Sequence, residues 1–386
     1  MLSKISLIAF LAIAASASPC HPQTCSVDVA THDVFVNGKV TMTNDPQIHF
    51  DGPMTGGFNA SAGEDWSFEG VAADGNSAMA FTLTRGLIVG RAGSQRGLLT
   101  AVWPNGTRYM ESMWADNSTI EACRDSTTGT WFNGTSGLNW TIQASADFSS
   151  TVVRIESANL QGTITLDAIS PPLYPNGLVY PSPQGDYAFA PYLYWAESVP
   201  VGVVNVNLTM HGSPFVLSGI GGRERNWHSF PWATISARWD MIRAQIGPYT
   251  LMSLTYESKI DGQTYFSAVI MEGMEVVFRT RTQQVSTTET YGSFDLAYNG
   301  TVRLSSDPAL ATPLPESRHT GYKLNWVSPA TGEHWKFNID YTKCVYWFPA
   351  GQDGRVAGFA GTVTGGLVGG EQYVGRVSGN AMEKNL

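Results

Sequence analysis

Apolar and polar residues alternate with a period of two along much of the chain. Val204, Val206, Leu208 and Met210 are separated by Asn205, Asn207 and Thr209; Leu138, Trp140, Ile142 and Ala144 by Asn139, Thr141 and Gln143; Trp335, Phe337, Ile339 and Tyr341 by Lys336, Asn338 and Asp340. This period places each apolar set on one face of a strand, so each stretch predicts a strand with one face in a core. Asn37-Gly38, Asp74-Gly75 and Asp261-Gly262 lie between apolar runs and predict tight hairpins, because both central positions of a type I′ turn need positive φ. The best helical window, Trp232 to Arg238, is short. The chain is predicted to be all-β, built from antiparallel sheets closed into barrels or sandwiches.

Six prolines with Tyr174, Tyr180, Tyr187 and Phe189 between them mark Pro171–Pro191 as a long loop, either a lid or binding loop or a passive connection. The glycines from Gly358 to Gly375 lack the strand–turn–helix setting of a phosphate loop and read as close-packed strands in a barrel wall.

The chain has 386 residues, 43% hydrophobic and 14% charged, enough for one large or two medium domains. Its net charge of −9, with no Lys/Arg-dense stretch, argues against nucleic-acid partners and anionic membranes. Lys4, the apolar run Ile5–Ala15 and Ala15-Ser16-Ala17 predict a signal peptide over residues 1–17. No later run is long enough to span a bilayer. Seven sequons, at Asn59, Asn105, Asn117, Asn133, Asn139, Asn207 and Asn299, agree with a secreted or lumenal glycoprotein. Four cysteines, Cys20, Cys25, Cys123 and Cys344, predict two disulfides with three possible connectivities and no metal site.

Against this charge-poor background, Gly219-Ile220-Gly221-Gly222-Arg223-Glu224-Arg225-Asn226-Trp227-His228 concentrates ionisable and aromatic groups in one stretch. It resembles the Gly-x-Gly-Tyr-His-Asp-x-Asn-Trp-Gly signature of carotenoid hydratases of the hydroxyneurosporene synthase type and of the fungal Diels–Alderases related to them, through Gly219, Gly221, Asn226 and Trp227. Trp66-Ser67-Phe68-Glu69, Trp239 through Gly247-Pro248-Tyr249, and Gly365-Gly366 with Tyr373-Val374-Gly375 extend the likeness. The resemblance implies two lipocalin-like β-domains, here 18–228 and 229–386, with an apolar pocket inside or between them and no metal or cofactor.

The signature departs at Gly222, Arg223, Glu224 and His228. Arginine stays charged and is no general acid, which weakens a hydratase reading. A guanidinium can instead hydrogen-bond a carbonyl or enolate oxygen. The chain is therefore similar to the secreted hetero-Diels–Alderases that join a tropolone-type ortho-quinone methide to a humulene-type sesquiterpene alkene. In this reading Arg223 or Arg225 polarises the oxadiene oxygen, Asn226 assists, and Glu64 moves a proton. Trp66, Trp114, Trp227, Trp239, Met241, Tyr256 and Trp347 are candidate walls for two hydrophobic small molecules. The competing assignments are a salt bridge of the arginines with Glu224 or Glu64, core packing for each aromatic, and a turn residue for His228. Competing functions are an isoprenoid hydratase or isomerase, a non-catalytic lipocalin-like carrier, and a carbohydrate-active β-protein, the last disfavoured because no facing carboxylate pair stands out.

Overall fold

The period-two stretches form strands. The structure, a computed structural model, describes residues 25–88, 91–297, 320–349 and 354–384. In chain order the strands are β1 (Ser26–Thr31), β2 (Gly63–Ala72), β3 (Ala78–Ile88), β4 (Arg91–Val102), β5 (Arg108–Ala115), β6 (Asn117–Ala122), β7 (Ser126–Asn133), β8 (Leu138–Ser145), β9 (Ser150–Glu156), β10 (Leu160–Ala168), β11 (Ala188–Ala190), β12 (Leu193–Met210) and β13 (Ser213–His228). After the four-residue helix α1 (Trp232–Ile235) come β14 (Ser236–Ile246), β15 (Tyr249–Ser258), β16 (Thr264–Glu272), β17 (Glu275–Thr280), β18 (Tyr291–Ala297), β19 (Gly321–Ser328), β20 (Glu333–Pro349), β21 (Gly354–Leu367) and β22 (Tyr373–Lys384). No helix among the described residues is long and apolar enough to cross a membrane.

The strands form two antiparallel sheets, as the alternation predicted. The first runs β1-β6-β7-β8-β9-β10-β12-β13-β2-β3-β4-β5, with β11 paired to β12. It curls as a half-barrel around Trp66, Phe68, Phe81, Trp131 and Trp140. The second runs β17-β16-β15-β14-β22-β21-β20-β19-β18. Its edges nearly meet, with the Gly292 N–H bonded to the Thr282 carbonyl at 3.0 Å, and Ile242, Phe266, Trp326 and Phe337 fill it. A third apolar cluster joins the sheets, setting Leu193 and Trp195 against Met241, Met252 and Leu254.

Three local expectations change. Helix α1 stops at Ile235, because Ser236 is already extended (φ −99°, ψ 128°) and the chain enters β14. The apolar spacing of Trp232, Ile235 and Trp239 imitates a helical period, but from Ser236 onward successive side chains face opposite sides. Asp74-Gly75 and Asp261-Gly262 do connect paired strands, β2 to β3 and β15 to β16. Asn37-Gly38 does not: it lies in an irregular stretch whose one ladder contact is the isolated bridge Met42–Thr55. Finally, the Pro171–Pro191 loop is partly a plug. Tyr174 and Tyr187 are buried against Phe50 inside the half-barrel.

The glycine-rich C-terminal strands pack as expected. A Cβ at Gly361 would lie 2.0 Å from the Asp340 carbonyl oxygen of the neighbouring strand. Cys25 and Cys123 form one disulfide and tie β1 to the end of β6. Cys344 is buried, with its Sγ 3.1 Å from the Tyr346 carbonyl it donates to. Cys20, Asn299 and the signal-peptide residues 1–17 lie outside the described residues. Asn105 and Asn207 are exposed, while Asn59, Asn117, Asn133 and Asn139 are half-buried.

Candidate functional site between the sheets

The signature segment is strand β13, held between β12 and β2 near the middle of the first sheet. Alternation sends its side chains to opposite faces. Arg223, Arg225 and Trp227 enter the half-barrel beside Phe68, Trp66 and Glu64 of β2. Gly222, Glu224, Asn226 and His228 face the second sheet beside Glu69, Ser67, Asp65 and Gly63.

The inner face is a buried ion network. Arg225 donates to the carbonyls of Phe50 and Gly52, both at 3.0 Å, and to Glu64 Oε2 at 3.1 Å, with its guanidinium carbon 3.5 Å from the Trp66 ring centre. Glu64 also takes Arg85 at 2.9 Å and the Met54 N–H at 3.1 Å, and Arg85 reaches Asp28 at 2.5 Å. Arg223 forks onto Asp51, one arm at 2.8 Å. Burial alone would raise the Asp51 carboxyl, but Arg223 outweighs it and the pKa falls below its usual value. Burial lowers the Arg225 guanidinium. Trp227 Nε1 donates to the Thr43 carbonyl at 3.0 Å. These side chains pin the stretch Thr43–Met54 across the half-barrel. Arg223 and Arg225 are 0% exposed and donate to protein groups, so the role expected of them, a donor to a substrate oxygen, is not what this geometry serves. The salt-bridge alternative describes Arg225 and Glu64; the partner of Arg223 is Asp51. Trp66 and Trp227 are core residues of the half-barrel.

The outer face is built differently. Arg243 of β14 reaches across the seam to Glu224 (2.6 Å), Glu197 (3.1 Å) and Glu69 (3.5 Å). Gly222 makes room for it, since a Cβ there would sit 2.2 Å from Arg243 Nη1. One cation thus serves three buried carboxylates. Burial, only partly offset by Arg243, pushes Glu197 up to about 7 and Glu224 well above its ordinary value. Burial would lower Arg243, but the three carboxylates prevail and raise it.

Asp65 accepts from Thr84 Oγ1 at 2.6 Å and from Trp232 Nε1 at 3.4 Å, and lies 3.6 Å from His228 Nε2. Trp232 packs on His228 and Trp239 with ring centres 5.2 and 5.0 Å apart. Trp239 Nε1 donates to Asn380 Oδ1, and Asn380 donates to Glu69, both at 2.8 Å. Asn226 Oδ1 and His228 Nδ1 are buried with no hydrogen-bond partner. A buried polar atom costs free energy when unpaired, so such atoms gathered on one seam mark a place where a ligand or water completes the structure.

The same face continues sideways in register: Trp195, Asn226, Asp65, Thr84, Arg96 and Trp114 sit opposite one another across β12, β13, β2, β3, β4 and β5. Ser67, Thr82, Thr84, Arg96 and Trp114 are half-buried, so this polar floor is partly open, with Trp232 and Trp239 also half-buried beside it. Of the expected site residues, Asn226, Trp114, Trp239 and Met241 belong to this side. Tyr256 is buried, takes a hydrogen bond from Ser236 at 3.1 Å, and borders an open, largely polar cavity of about 450 Å³ at the barrel mouth with Arg238, Asp240 and Glu257. That cavity is not the enclosed apolar chamber expected. Trp347 packs half-buried on the barrel core. Asp65, Glu69, His228, Arg243 and Arg96 were missed or undervalued; their signal is cross-strand register, which the chain reveals only once paired.

Two lipocalin-like antiparallel sheets that meet at a polar, incompletely satisfied seam define the fold class. A Diels-Alderase-like family model matches residues 22–384, and the chain belongs to that family. It is 34% identical over 322 residues to the Diels-Alderase ffsF of Aspergillus flavipes, covering 82% of this chain and 75% of that protein. It is 32% identical over 331 residues to the Diels-Alderase phmD of Phaeosphaeria nodorum, covering 85% and 89%. The crystal structure of CghA with Sch210972 superposes with a TM-score of 0.77 at 20% identity, over 93% of this chain and 99% of CghA. Kievitone hydratase from Nectria haematococca shares the fold at a TM-score of 0.52 and 14% identity, over 90% of this chain and 97% of that one.

Proposed function

We propose that the chain catalyses a [4+2] cycloaddition on the half-open face between its two sheets. In the narrower form of this reading the diene is an ortho-quinone methide and the partner a humulene-type alkene. Two σ bonds form, one C–C and one C–O, at the expense of two π bonds, and no atom leaves. Holding both partners in register is the main requirement, and in favourable systems it contributes roughly 7–11 kcal/mol. A donor beside the oxadiene oxygen stabilises charge that grows in the transition state, at about 3–4 kcal/mol. The observation that carries the reading is the orientation of β13: Asn226 and His228 turn buried, unpartnered polar atoms toward the seam. Trp232, Trp239 and Met241 supply apolar surface next to them. The family membership and the named relatives support the cycloaddition; the choice of substrates rests on the resemblance to secreted members.

The test feeds purified protein a quinone-methide precursor with humulene. Faster adduct formation with enantiomeric excess is expected; a racemic adduct at the uncatalysed rate defeats the narrower reading. The Asp65–His228 pair favours one alternative, proton transfer in a hydratase or isomerase, and labelled solvent oxygen appearing in the product would select it. Secretion and glycosylation belong to the same proposal, supported by the exposed Asn105 and Asn207 and by the Cys25–Cys123 disulfide. A secreted fraction whose mass is unmoved by an N-glycosidase would count against it.

A further inference from the structure

We propose that Arg96 is the substrate-facing cation of this site, a braced guanidinium that grips the paired oxygens of a planar hydroxy-ketone or enolised dicarbonyl. The assignment deepens the cycloaddition reading and rests on it for its role in turnover.

Arg96 differs from the other arginines around the signature strand. Arg85, Arg223, Arg225 and Arg243 each contact a carboxylate within 4 Å, and each is at most 1% exposed. Arg96 is half-buried and makes no such contact among the described residues. Its Nε donates to Ser112 Oγ at 2.7 Å, and its guanidinium carbon lies 5.6 Å from the centre of the Trp114 ring. The ring contact and the single Nε bond brace the group while using none of its Nη donors. Neither Nη nitrogen hydrogen-bonds to any described residue. The result is a cation held in place with its two-toothed edge available, the geometry that binds two adjacent oxygens on one plane.

Its neighbours define the ligand. Across the strands, Arg96 sits opposite Thr84, Thr84 opposite Asp65 and Asp65 opposite Asn226. The Asp65 carboxylate close by disfavours a ligand carrying a second full negative charge. It suits one that pairs an anionic or polarised oxygen with a hydroxyl. Thr84 and Thr82 offer hydroxyls on the same half-open face. An oxygen held by Arg96 draws electron density out of a conjugated diene, which is what the cycloaddition needs from its electron-poor partner.

The test uses tropolone as the binding probe and the quinone-methide and humulene pair as the reaction. Wild type, Arg96→Gln and Arg96→Lys are titrated calorimetrically and assayed for kcat and KM separately. Arg96→Gln is expected to weaken tropolone binding at least about tenfold and to lower kcat about 100-fold. Arg96→Lys keeps the charge and loses the fork, so it should recover only part of either. A small change in thermal midpoint is expected, because the side chain is half-exposed, and circular dichroism checks that each variant is folded. Tropolone that fails to bind wild type, or binds Arg96→Gln equally well, overturns the assignment. A wild type that forms no adduct, yet loses tropolone binding on Arg96→Gln, keeps Arg96 as the ligand's anchor and removes the cycloaddition reading alone. Adduct formation within twofold of wild type in Arg96→Gln removes Arg96 and leaves the cycloaddition in place.

Discussion

The two faces of strand β13 hold charge in opposite ways. Inside the half-barrel, Arg85, Arg223 and Arg225 meet Asp28, Asp51 and Glu64, three cations against three anions. At the seam, Arg243 alone meets Glu69, Glu197 and Glu224, one against three, a net −2 if all were ionised. The inner set also satisfies carbonyls of the Thr43–Met54 stretch and leaves Arg223 Nε without a hydrogen bond, whereas the outer face leaves Asn226 Oδ1 and His228 Nδ1 without one. A charge-balanced network holds structure together. An unbalanced one responds to protons and ligands. Arginines in a signature therefore say little about catalysis until the face they occupy is known.

Breaking the inner network should give the largest effect. Glu64→Ala leaves Arg225 and Arg85 buried without their shared carboxylate, and removing one partner of a buried pair costs about 3–5 kcal/mol. Chemical denaturation should show that loss, while the folded fraction keeps nearly the wild-type turnover. A stable but inactive Glu64→Ala would reverse the comparison and return Glu64 to the chemistry.

The outer network should appear in the pH dependence of stability. Glu197 is raised to about 7 in the folded protein, while the unfolded chain titrates near the ordinary glutamate value of about 4.3. The folded state thus holds a proton that the unfolded state has released. Its contribution is fully present below the unfolded pKa and is lost as pH rises through the folded pKa, a loss of about 3 kcal/mol between pH about 4 and 8. Glu197→Gln mimics the protonated acid and should flatten that slope, leaving the variant more stable than wild type at pH 8. Denaturation midpoints at several pH values decide it; a wild-type curve with no alkaline fall would mean that the seam carries no such proton.

Much of this architecture was legible in the chain. Strand β8, the second half of β12 (residues 203–210) and the part of β20 over residues 335–342 announce themselves because one face is more exposed and the other dry, and burial follows their alternation there. Strand β13 was located but its faces were not. From Ile220 to His228 every residue is buried, so no contrast between apolar and polar positions tells which side meets which sheet. The parity was readable, since Arg223, Arg225 and Trp227 do share a face; its destination was not. Arg243, Glu197 and Arg96 carried no local signal. Each acquires its meaning from a partner on another strand, and pairing register is a property of the folded sheet rather than of any window of sequence.

The smallest expected change in stability is the sharpest probe of the outer face. Asn226 Oδ1 has no partner, so Asn226→Ala removes an acceptor already buried at a cost and should shift stability by less than about 1 kcal/mol. If the atom waits for a substrate or an ordered water that orients one, the same change should slow adduct formation about tenfold and erode its stereochemical bias. A near-zero denaturation shift together with reduced enantiomeric excess separates Asn226 from its strand neighbours Arg225 and Trp227, whose removal should unfold the protein before it alters selectivity. A destabilisation as large as that of Glu64→Ala, with selectivity intact, would make the outer face a second structural network, and the distinction between the two sides of β13 would be lost.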